Sequence, residues 1–306
     1  MDNRTFEYWI PRFLRYIEVE RRSSVHTLQA YRRDLEHFAE YLQTRQDEVP
    51  SVLEHFSKGT IRGYLSGLME QNYTPRSISR KLSAMRMFAR YLVRENVRSD
   101  NPVLNITSPK LDKKLPAFMT APETRALLEL PDRNTPEGVR DFIILEMFYA
   151  TGIRVSELVN LRIRDLDGFN STLSVLGKRN KRRIIPLGAQ LQSDLDDYLR
   201  NRAVITGEKP EFNDYLFVTE KKEPFTRHQI ARIVQGYILK VADARKAHPH
   251  ALRHTFATHL LDAGADLMSV KELLGHSNLG TTQIYTHISA EHLRRAYQNA
   301  HPRAKK

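Results

Sequence analysis

Residues 139–158 read VRDFIILEMFYATGIRVSEL and join a long apolar segment to a turn signal. The first twelve of these residues carry apolar side chains on nearly every helical face, which is typical of a helix buried inside a domain. Thr151 and Gly152 then favour a tight turn into a second helix. The stretch predicts a helical domain core in which Arg154 and Glu157 directly follow the turn.

A small β insert is predicted downstream of this helix. Leu173 and Val175 alternate with polar residues, and after a turn the apolar residues within 184–187 complete a hairpin pattern. A further short strand is predicted at 215–218. Because strands and helices do not alternate regularly, the predicted fold class is mainly α, with a small β-sheet or hairpin in the second domain.

The first hundred residues show helical periodicity. Apolar side chains recur at three- and four-residue steps in two segments, which contain Val25, Leu28, Tyr31, Leu35, Phe38 and Leu42, and then Ile78, Leu82, Met85, Phe88 and Leu92. On the second segment Arg86, Arg90 and Arg94 form a basic stripe. A solvated helix face and a DNA contact are both open interpretations, and the scarcity of acidic partners nearby in the sequence favours DNA contact.

A basic, proline-containing stretch separates the two helical regions. Asn101-Pro102 ends the first region, and residues 107–116 have the composition of an interdomain linker. The predicted domains are therefore 1–106 and 117–306.

The charge balance points to a polyanionic partner. The 306 residues include 48 Lys and Arg against 36 Asp and Glu, which gives a net charge of +12. Such a surface attracts nucleic acid phosphates. The absence of cysteine excludes disulfides, thiolate metal sites and a cysteine nucleophile. The sequence contains no glycine-rich nucleotide-binding motif, no apolar stretch long enough to cross a bilayer and no secretory signal pattern.

The histidine-rich stretch 248–254 is a candidate for a metal site and for an anion site. His250 and His254 are four residues apart, but the stretch lacks the glutamate of the H-E-x-x-H zinc motif, and Arg253 would oppose a metal cation. Arg253 offers a planar fork for phosphate oxygens, and His250 can transfer a proton near neutral pH. A capping histidine beside a surface arginine is the structural alternative. Neither a metal nor a cofactor is predicted.

Three further motifs could serve the same chemistry or a purely structural role. Arg154 could bind an anion with Glu157 as its support, or the two could form a structural ion pair. The basic turn 177–183 could enter a nucleic-acid groove or remain a solvated loop. Tyr285 follows His276 by nine residues, and a catalytic tyrosine needs nearby cations because its ordinary pKa is about 10.

Taken together, these residues resemble the tyrosine recombinase, or phage integrase-like, family. The matching motifs are TGIRVSEL, HPHALRHTFATHLLDAG and LLGHSNLGTTQIYTH, and the matching residues are Arg154, Lys178, His250, Arg253, His276 and Tyr285. The resemblance covers nearly the whole chain, and the ending 300–306 resembles the Xer subgroup. Arg179 departs from the glycine that the family often has there, so the conformation of this turn is left open.

The resemblance implies a two-domain DNA clamp, in which a helical, SAM-like core-binding domain at 1–106 precedes the catalytic domain at 117–306. Tyr285 would attack the scissile phosphate and form a 3′-phosphotyrosyl intermediate. The other implied roles are phosphate binding by Arg154 and Arg253, proton donation by Lys178, proton transfer by His250, a phosphate hydrogen bond from His276, support of Arg154 by Glu157, and DNA contact by Arg86, Arg90, Arg94, Arg179 and Lys181.

The same resemblance implies partners and a setting. The expected partner is a double-stranded DNA recombination site, bound by a recombinase tetramer on two duplexes with a second Xer recombinase and a DNA translocase as activator. The expected role is chromosome-dimer resolution at cell division, in the cytoplasm at the nucleoid. A mobile-element integrase, a DNA-binding protein that does not recombine and a type IB topoisomerase are the alternatives. A tail helix at 289–300 would pack on its own domain or on a neighbouring protomer.

Overall fold

The structure is a computed structural model that describes residues 4–21, 23–45, 49–110, 117–177 and 181–275, together with residue 300. The chain divides into two compact units, Met1–Lys114 and Leu115–Lys306. The described residues are mainly helical and include a three-stranded antiparallel sheet, which confirms the predicted fold class. Within these ranges, no helix combines the length and the apolar character that a membrane span requires.

The first unit is built from helices that begin with hydroxyl caps. The helices are α1 (Phe6–Val19), α2 (Val25–Gln43), α3 (Lys58–Glu70) and α4 (Pro75–Arg94). At each helix start a hydroxyl oxygen accepts a hydrogen bond from a backbone N–H of the first turn. The hydroxyls belong to Thr5, Ser24, Ser57 and Thr74 respectively. These caps satisfy N–H groups that have no partner within the helix, so the helix starts are defined locally by the sequence.

Aromatic side chains hold the helices of the first unit together. The Phe6 ring lies 5.7 Å from the rings of Phe38 and Phe56 and 5.9 Å from that of Phe88, measured between centroids. Their mostly edge-on or tilted arrangement is the one that aromatic quadrupoles favour. Val25, expected on the apolar face, is instead 62% exposed, because it stands at the first position of α2, where the helix has just left the loop.

The second unit contains the remaining helices and the sheet. The helices are α5 (Ala121–Glu129), α6 (Pro136–Thr151), α7 (Val155–Leu158), α8 (Ala189–Thr206), α9 (Arg227–Ile238), α10 (Pro249–Asp262) and α11 (Leu267–Leu274). The strands are β1 (Leu166–Asp167), β2 (Thr172–Leu176) and β3 (Arg182–Pro186).

Helix α6 forms the centre of the second unit, as its apolar sequence predicted. Every residue from Phe142 to Thr151 is buried. The helix extends one residue beyond the predicted end and is capped by Gly152, whose φ of 58° lies in the left-handed region. Glycine adopts this conformation without steric cost, so it ends α6 and turns the chain directly into α7.

The predicted hairpin is present, and the predicted strand at 215–218 is not. Strands β2 and β3 pair antiparallel, with Leu173 opposite Ile185 and Val175 opposite Arg183. Residues 215–218 make only isolated bridges, from Tyr215 to Arg162 and from Val218 to Pro224. The side chains of Leu216 and Phe217 are buried in the second unit's core without joining the sheet. A short buried apolar segment therefore has the same sequence pattern as a strand.

Candidate active site

Four elements of the second unit bring charged side chains to one place. Arg154 is the N-cap residue of helix α7, and the first two turns of α10 carry His250 and Arg253. Strand β3 contributes Arg183, and α11 ends at the left-handed Gly275, with φ of 65°. The turn chemistry at Gly152 and Gly275 therefore sets where the arginines meet.

Arg253 is a buried cation at the base of this site. Its side chain donates to the carbonyl oxygens of Gly152 and Leu274, the latter at 2.6 Å, and the residue is 6% exposed. Burial and the neighbouring Arg154 lower the pKa of Arg253 to about 9. A guanidinium that is short of hydration and close to another cation gains from a nearby anion.

Glu157 holds Arg154 at the start of α7. The backbone N–H of Arg154 donates to Oε2 of Glu157 at 2.9 Å, and its Nη1 donates to Oε1 at 2.7 Å. Nη2 of Arg154 reaches the carbonyl oxygen of Gly275 at 3.2 Å. Burial by itself raises the pKa of Glu157, but hydrogen bonds from Arg183 and Arg154 outweigh it and keep the pKa below its usual value. The carboxylate therefore stays ionised and orients Arg154, and this pairing is common to both interpretations of the motif, the supported anion site and the structural ion pair.

Arg183 is a member of this cluster that the sequence analysis missed. Its position in the sequence places it in the basic turn 177–183, yet its side chain is 10% exposed and pairs with Glu157. The signal was present in the strand pattern: Val175 and Ile185 are buried, and residues opposite each other or two apart on a hairpin share a face. That alternation places Arg183 on the inner face.

The carboxyl end of α11 binds all three arginines. The carbonyl oxygens of Leu273, Leu274 and Gly275 accept from Arg183, Arg253 and Arg154 respectively. The last carbonyls of a helix have no partner within the helix and carry partial negative charge, so guanidinium groups stabilise them. The end of α11 therefore holds arginines from separate elements close to one another.

The described cluster has an excess of positive charge. The guanidinium groups of Arg154, Arg183 and Arg253 surround one ionised carboxylate, Glu157. This composition suits the anionic oxygens of a phosphodiester. Among the residues that the structure describes, no group of three or more His, Cys, Asp or Glu side chains is placed to hold a metal ion.

His250 borders the cluster at the start of α10. It is exposed at the second position of the helix, and its ring centroid lies 6.4 Å from that of the capping residue His248. Partial loss of hydration lowers the pKa of His250, and the nearby His248 and Arg253 lower it further. The imidazole is therefore neutral at pH 7 and can accept a proton.

Several predicted site residues lie outside the described part of the chain, namely Lys178, Arg179, His276 and Tyr285. Lys181 is described and exposed, and its carbonyl oxygen accepts from the N–H of Gly177 at 2.8 Å. Of the predicted tail helix 289–300, Ala300 is described, and it is 4% exposed within the core of the second unit.

The basic stripe on α4 is less uniform than its sequence suggested. Arg86 donates to the carbonyl oxygen of Ile106 and to the hydroxyl of Ser108. Arg94 forms two hydrogen bonds with Glu20, the C-cap residue of α1, at 2.6 and 2.9 Å. An acidic partner distant in sequence thus compensates Arg94, whereas Arg90 is exposed. The scarcity of acidic residues nearby in the sequence therefore does not leave Arg94 unpaired.

Comparisons with known proteins agree with these features. Residues 117–292 match the phage integrase family, and residues 10–96 match the phage integrase N-terminal SAM-like domain. The chain is 41% identical over 304 residues to tyrosine recombinase XerC of Pelotomaculum thermopropionicum, covering 97% of this chain and 98% of that protein. It is also 41% identical over 299 residues to tyrosine recombinase XerC of Oceanobacillus iheyensis, covering 97% of each.

A solved structure extends the likeness to three dimensions. The site-specific recombinase XerH, bound to its difH substrate in a pre-cleavage complex, matches with a TM-score of 0.70 and 25% identity. The match covers 94% of both chains.

Proposed function

The chain belongs to the phage integrase family and is a tyrosine site-specific recombinase, and from this premise we propose that it cleaves and rejoins double-stranded DNA at a recombination site through a 3′-phosphotyrosyl intermediate. The observation that carries the proposal is the cluster of Arg154, Arg183 and Arg253 around the single carboxylate of Glu157. The expected resemblance of this chain to the Xer subgroup agrees with the 41% identity to XerC proteins.

Arg154 and Arg253 would bind the non-bridging oxygens of the scissile phosphate. Negative charge grows on these oxygens as the nucleophile attacks, so cations already held in place stabilise the transition state more than the ground state. Two guanidinium groups would supply the positive charge that metal ions supply at other phosphoryl-transfer sites.

The remaining steps need a nucleophile and proton transfers. Tyr285 would attack the phosphate, which produces the 3′-phosphotyrosyl bond and releases the 5′-oxygen. Lys178 would protonate that oxygen, neutral His250 would take the proton of Tyr285, and His276 would hydrogen-bond the phosphate. These roles rest on the motif matches, together with the lowered pKa of His250. The bond energy is kept in the intermediate, so the freed 5′-hydroxyl can rejoin a partner strand.

We extend the proposal to the domains and their DNA contacts. Residues 1–106 would form the core-binding domain, 107–116 the linker and 117–306 the catalytic domain, which is supported by the two family matches at 10–96 and 117–292. Exposed Arg90 and Lys181 are the best-supported DNA contacts among the described candidates. Arg86, Arg94 and Arg179 complete the proposed set.

The proposed biological role is resolution of chromosome dimers at cell division, in the cytoplasm at the nucleoid. The full set of matching XerC-like motifs supports this role over a DNA-binding protein that does not recombine. A tetramer on two duplexes, a second Xer recombinase and an activating translocase belong to the same proposal. For the tail, burial of Ala300 in the core of its own unit favours packing on its own domain over docking on a neighbouring protomer. Mobile-element integration remains the alternative role.

The decisive test uses a supercoiled plasmid that carries the host's candidate resolution site. Wild-type protein should form a covalent protein–DNA adduct at that site and should not require added metal or ATP. Tyr285→Phe should bind the same DNA and form no adduct, because the variant lacks the attacking oxygen. Adducts from Tyr285→Phe at the wild-type yield would overturn the assignment of the nucleophile.

A further inference from the structure

Arg183 makes more contacts than a surface cation of a basic turn requires. Its Nε donates to the carbonyl oxygen of Leu273 at 2.8 Å. Its Nη1 and Nη2 donate to Oε1 and Oε2 of Glu157, at 3.0 and 2.8 Å. One side chain thereby ties β3 to α7 and to the end of α11. The two parallel bonds to Glu157 are the fork arrangement in which an arginine fixes the plane of a carboxylate.

The carboxylate of Glu157 is shared equally between two arginines. Oε1 accepts from Nη1 of Arg154 and Nη1 of Arg183, and Oε2 accepts from the backbone N–H of Arg154 and Nη2 of Arg183. An ionised carboxylate offers about four lone-pair sites, so these bonds fill it. Since Glu157 has no capacity left for substrate, its role is to orient, and Arg183 sets half of its geometry.

Packing keeps Arg183 in this position. A Cβ atom added to Gly275 would lie 3.1 Å from Cδ and 3.2 Å from Nη1 of Arg183, and one added to Gly177 would lie 3.7 Å from Nη1. The end of α11 therefore rests directly on the guanidinium stem. A side chain with little room for another rotamer fixes the position of the groups that it is hydrogen-bonded to, in addition to supplying charge.

We propose that Arg183 is a positioning residue for cleavage: through Glu157 it holds Arg154 at the distance and angle that the scissile phosphate requires. The inference rests on the proposed function and adds to it a residue that acts without touching the DNA. Lysine cannot replace it, because a point-like ammonium cannot make two parallel bonds to Glu157 while also reaching Leu273.

The primary test is Arg183→Lys, measured as the single-turnover rate of covalent adduct formation on the resolution-site DNA. The rate should fall by about 10- to 100-fold, the effect of a small misplacement of a reacting group. The affinity for a single site and the melting temperature should stay close to wild type. Arg182→Lys is the matched control, because Arg182 is the preceding residue on β3, its side chain is 60% exposed, and its nearest acidic partner, Asp165, is 3.8 Å away.

A modified substrate separates positioning from a general structural defect. When a methyl group replaces one non-bridging oxygen of the scissile phosphate, the phosphate has less charge for Arg154 to bind. On this methylphosphonate DNA the cleavage rate of Arg183→Lys should therefore lie closer to the wild-type rate than it does on unmodified DNA. A variant that is merely misfolded would remain equally defective on both substrates, which would overturn the proposal.

A second set of variants guards against poor folding of Arg183→Lys. Glu157→Gln together with Arg183→Gln removes one negative and one positive charge at once, so the net charge of the cluster is unchanged. This double variant should cleave about as slowly as Glu157→Gln alone, because both residues act along one path to Arg154. Defects that multiply, or an Arg183→Lys rate equal to that of Arg182→Lys, would overturn the inference. Failure of the wild-type protein to form adducts would instead contradict the proposed function itself.

Discussion

The carbonyl oxygens at the end of α11 orient the arginines without using up their donors. An arginine carries about five N–H groups. Arg253 donates to Gly152 and Leu274, and Arg154 donates to Glu157 and Gly275. Both guanidinium groups therefore have further N–H groups that can donate hydrogen bonds to phosphate oxygens. The positions of the two guanidinium groups are set before DNA binds. Such preorganisation avoids the cost of ordering long side chains during the reaction.

His250 should give cleavage a dependence on pH that follows from its lowered pKa. The neutral imidazole is the form that accepts a proton, and the pKa is lowered by lost hydration and by the cations around it. The midpoint of its protonation therefore lies below the ordinary histidine value of about 6.5. The cleavage rate measured against pH should fall on the acid side, with a midpoint below that value.

Replacement of His250 supplies the control for this pH profile. His250→Gln should lower the rate at pH 7 and remove the fall on the acid side. An acid limb with its midpoint above the ordinary histidine value, or one that persists in His250→Gln, would show that another group controls the rate.

At the scale of elements, the turn between α6 and α7 depends on the absence of a side chain at Gly152. Its φ is 58°, and a Cβ atom there would lie 2.5 Å from Cδ1 of Phe256 and 2.8 Å from Cδ2 of Leu274. The left-handed conformation costs an L-residue about 1–2 kcal/mol, and overpacking costs about 1–3 kcal/mol. Gly152→Ala should therefore lower the free energy of unfolding by about 2–5 kcal/mol in urea titrations.

Gly207 offers a matched control for Gly152. It also ends a helix, α8, with a φ of 72°, but an added Cβ atom there would meet no atom within 4 Å. Gly207→Ala should lower the free energy of unfolding only by the cost of the left-handed conformation, about 1–2 kcal/mol. Equal losses in the two variants would mean that close packing between α6, α10 and α11 does not contribute at this turn.

At the scale of the whole molecule, the net charge of +12 should make DNA binding strongly salt-dependent. Each phosphate contact releases condensed counterions, so log affinity should fall linearly with log salt concentration. Arg90→Gln should reduce this slope by the amount that corresponds to about one phosphate contact. Arg94→Gln should change it less, since Glu20 already neutralises Arg94 at 2.6 Å.

The comparison between these two variants tests which part of the α4 stripe faces DNA. Fluorescence anisotropy on one duplex at several salt concentrations gives both slopes. If Arg94→Gln flattens the slope more than Arg90→Gln does, the intramolecular pair with Glu20 must open on binding, and the proposed order of contacts is wrong.

Local patterns in the sequence determined the helices, the hairpin and part of the site. The continuous apolar run predicted α6 because burial on all faces leaves no polar stripe, and the alternation of Leu173 and Val175 predicted the hairpin. Glu157 was linked correctly to Arg154 because residues three apart meet within one helical turn. The motif spacing also identified the family, which the later comparisons confirm.

Contacts between distant segments were decided only by the tertiary structure. Arg183 joins Glu157 across 26 positions and Leu273 across 90, and Arg94 reaches Glu20 across 74. Composition and periodicity describe one segment at a time, so they showed Arg183 and Arg94 as surface cations. Their partners depend on which elements the folded core brings together, because a buried charge or helix end takes whichever opposite group the packing places within hydrogen-bonding distance.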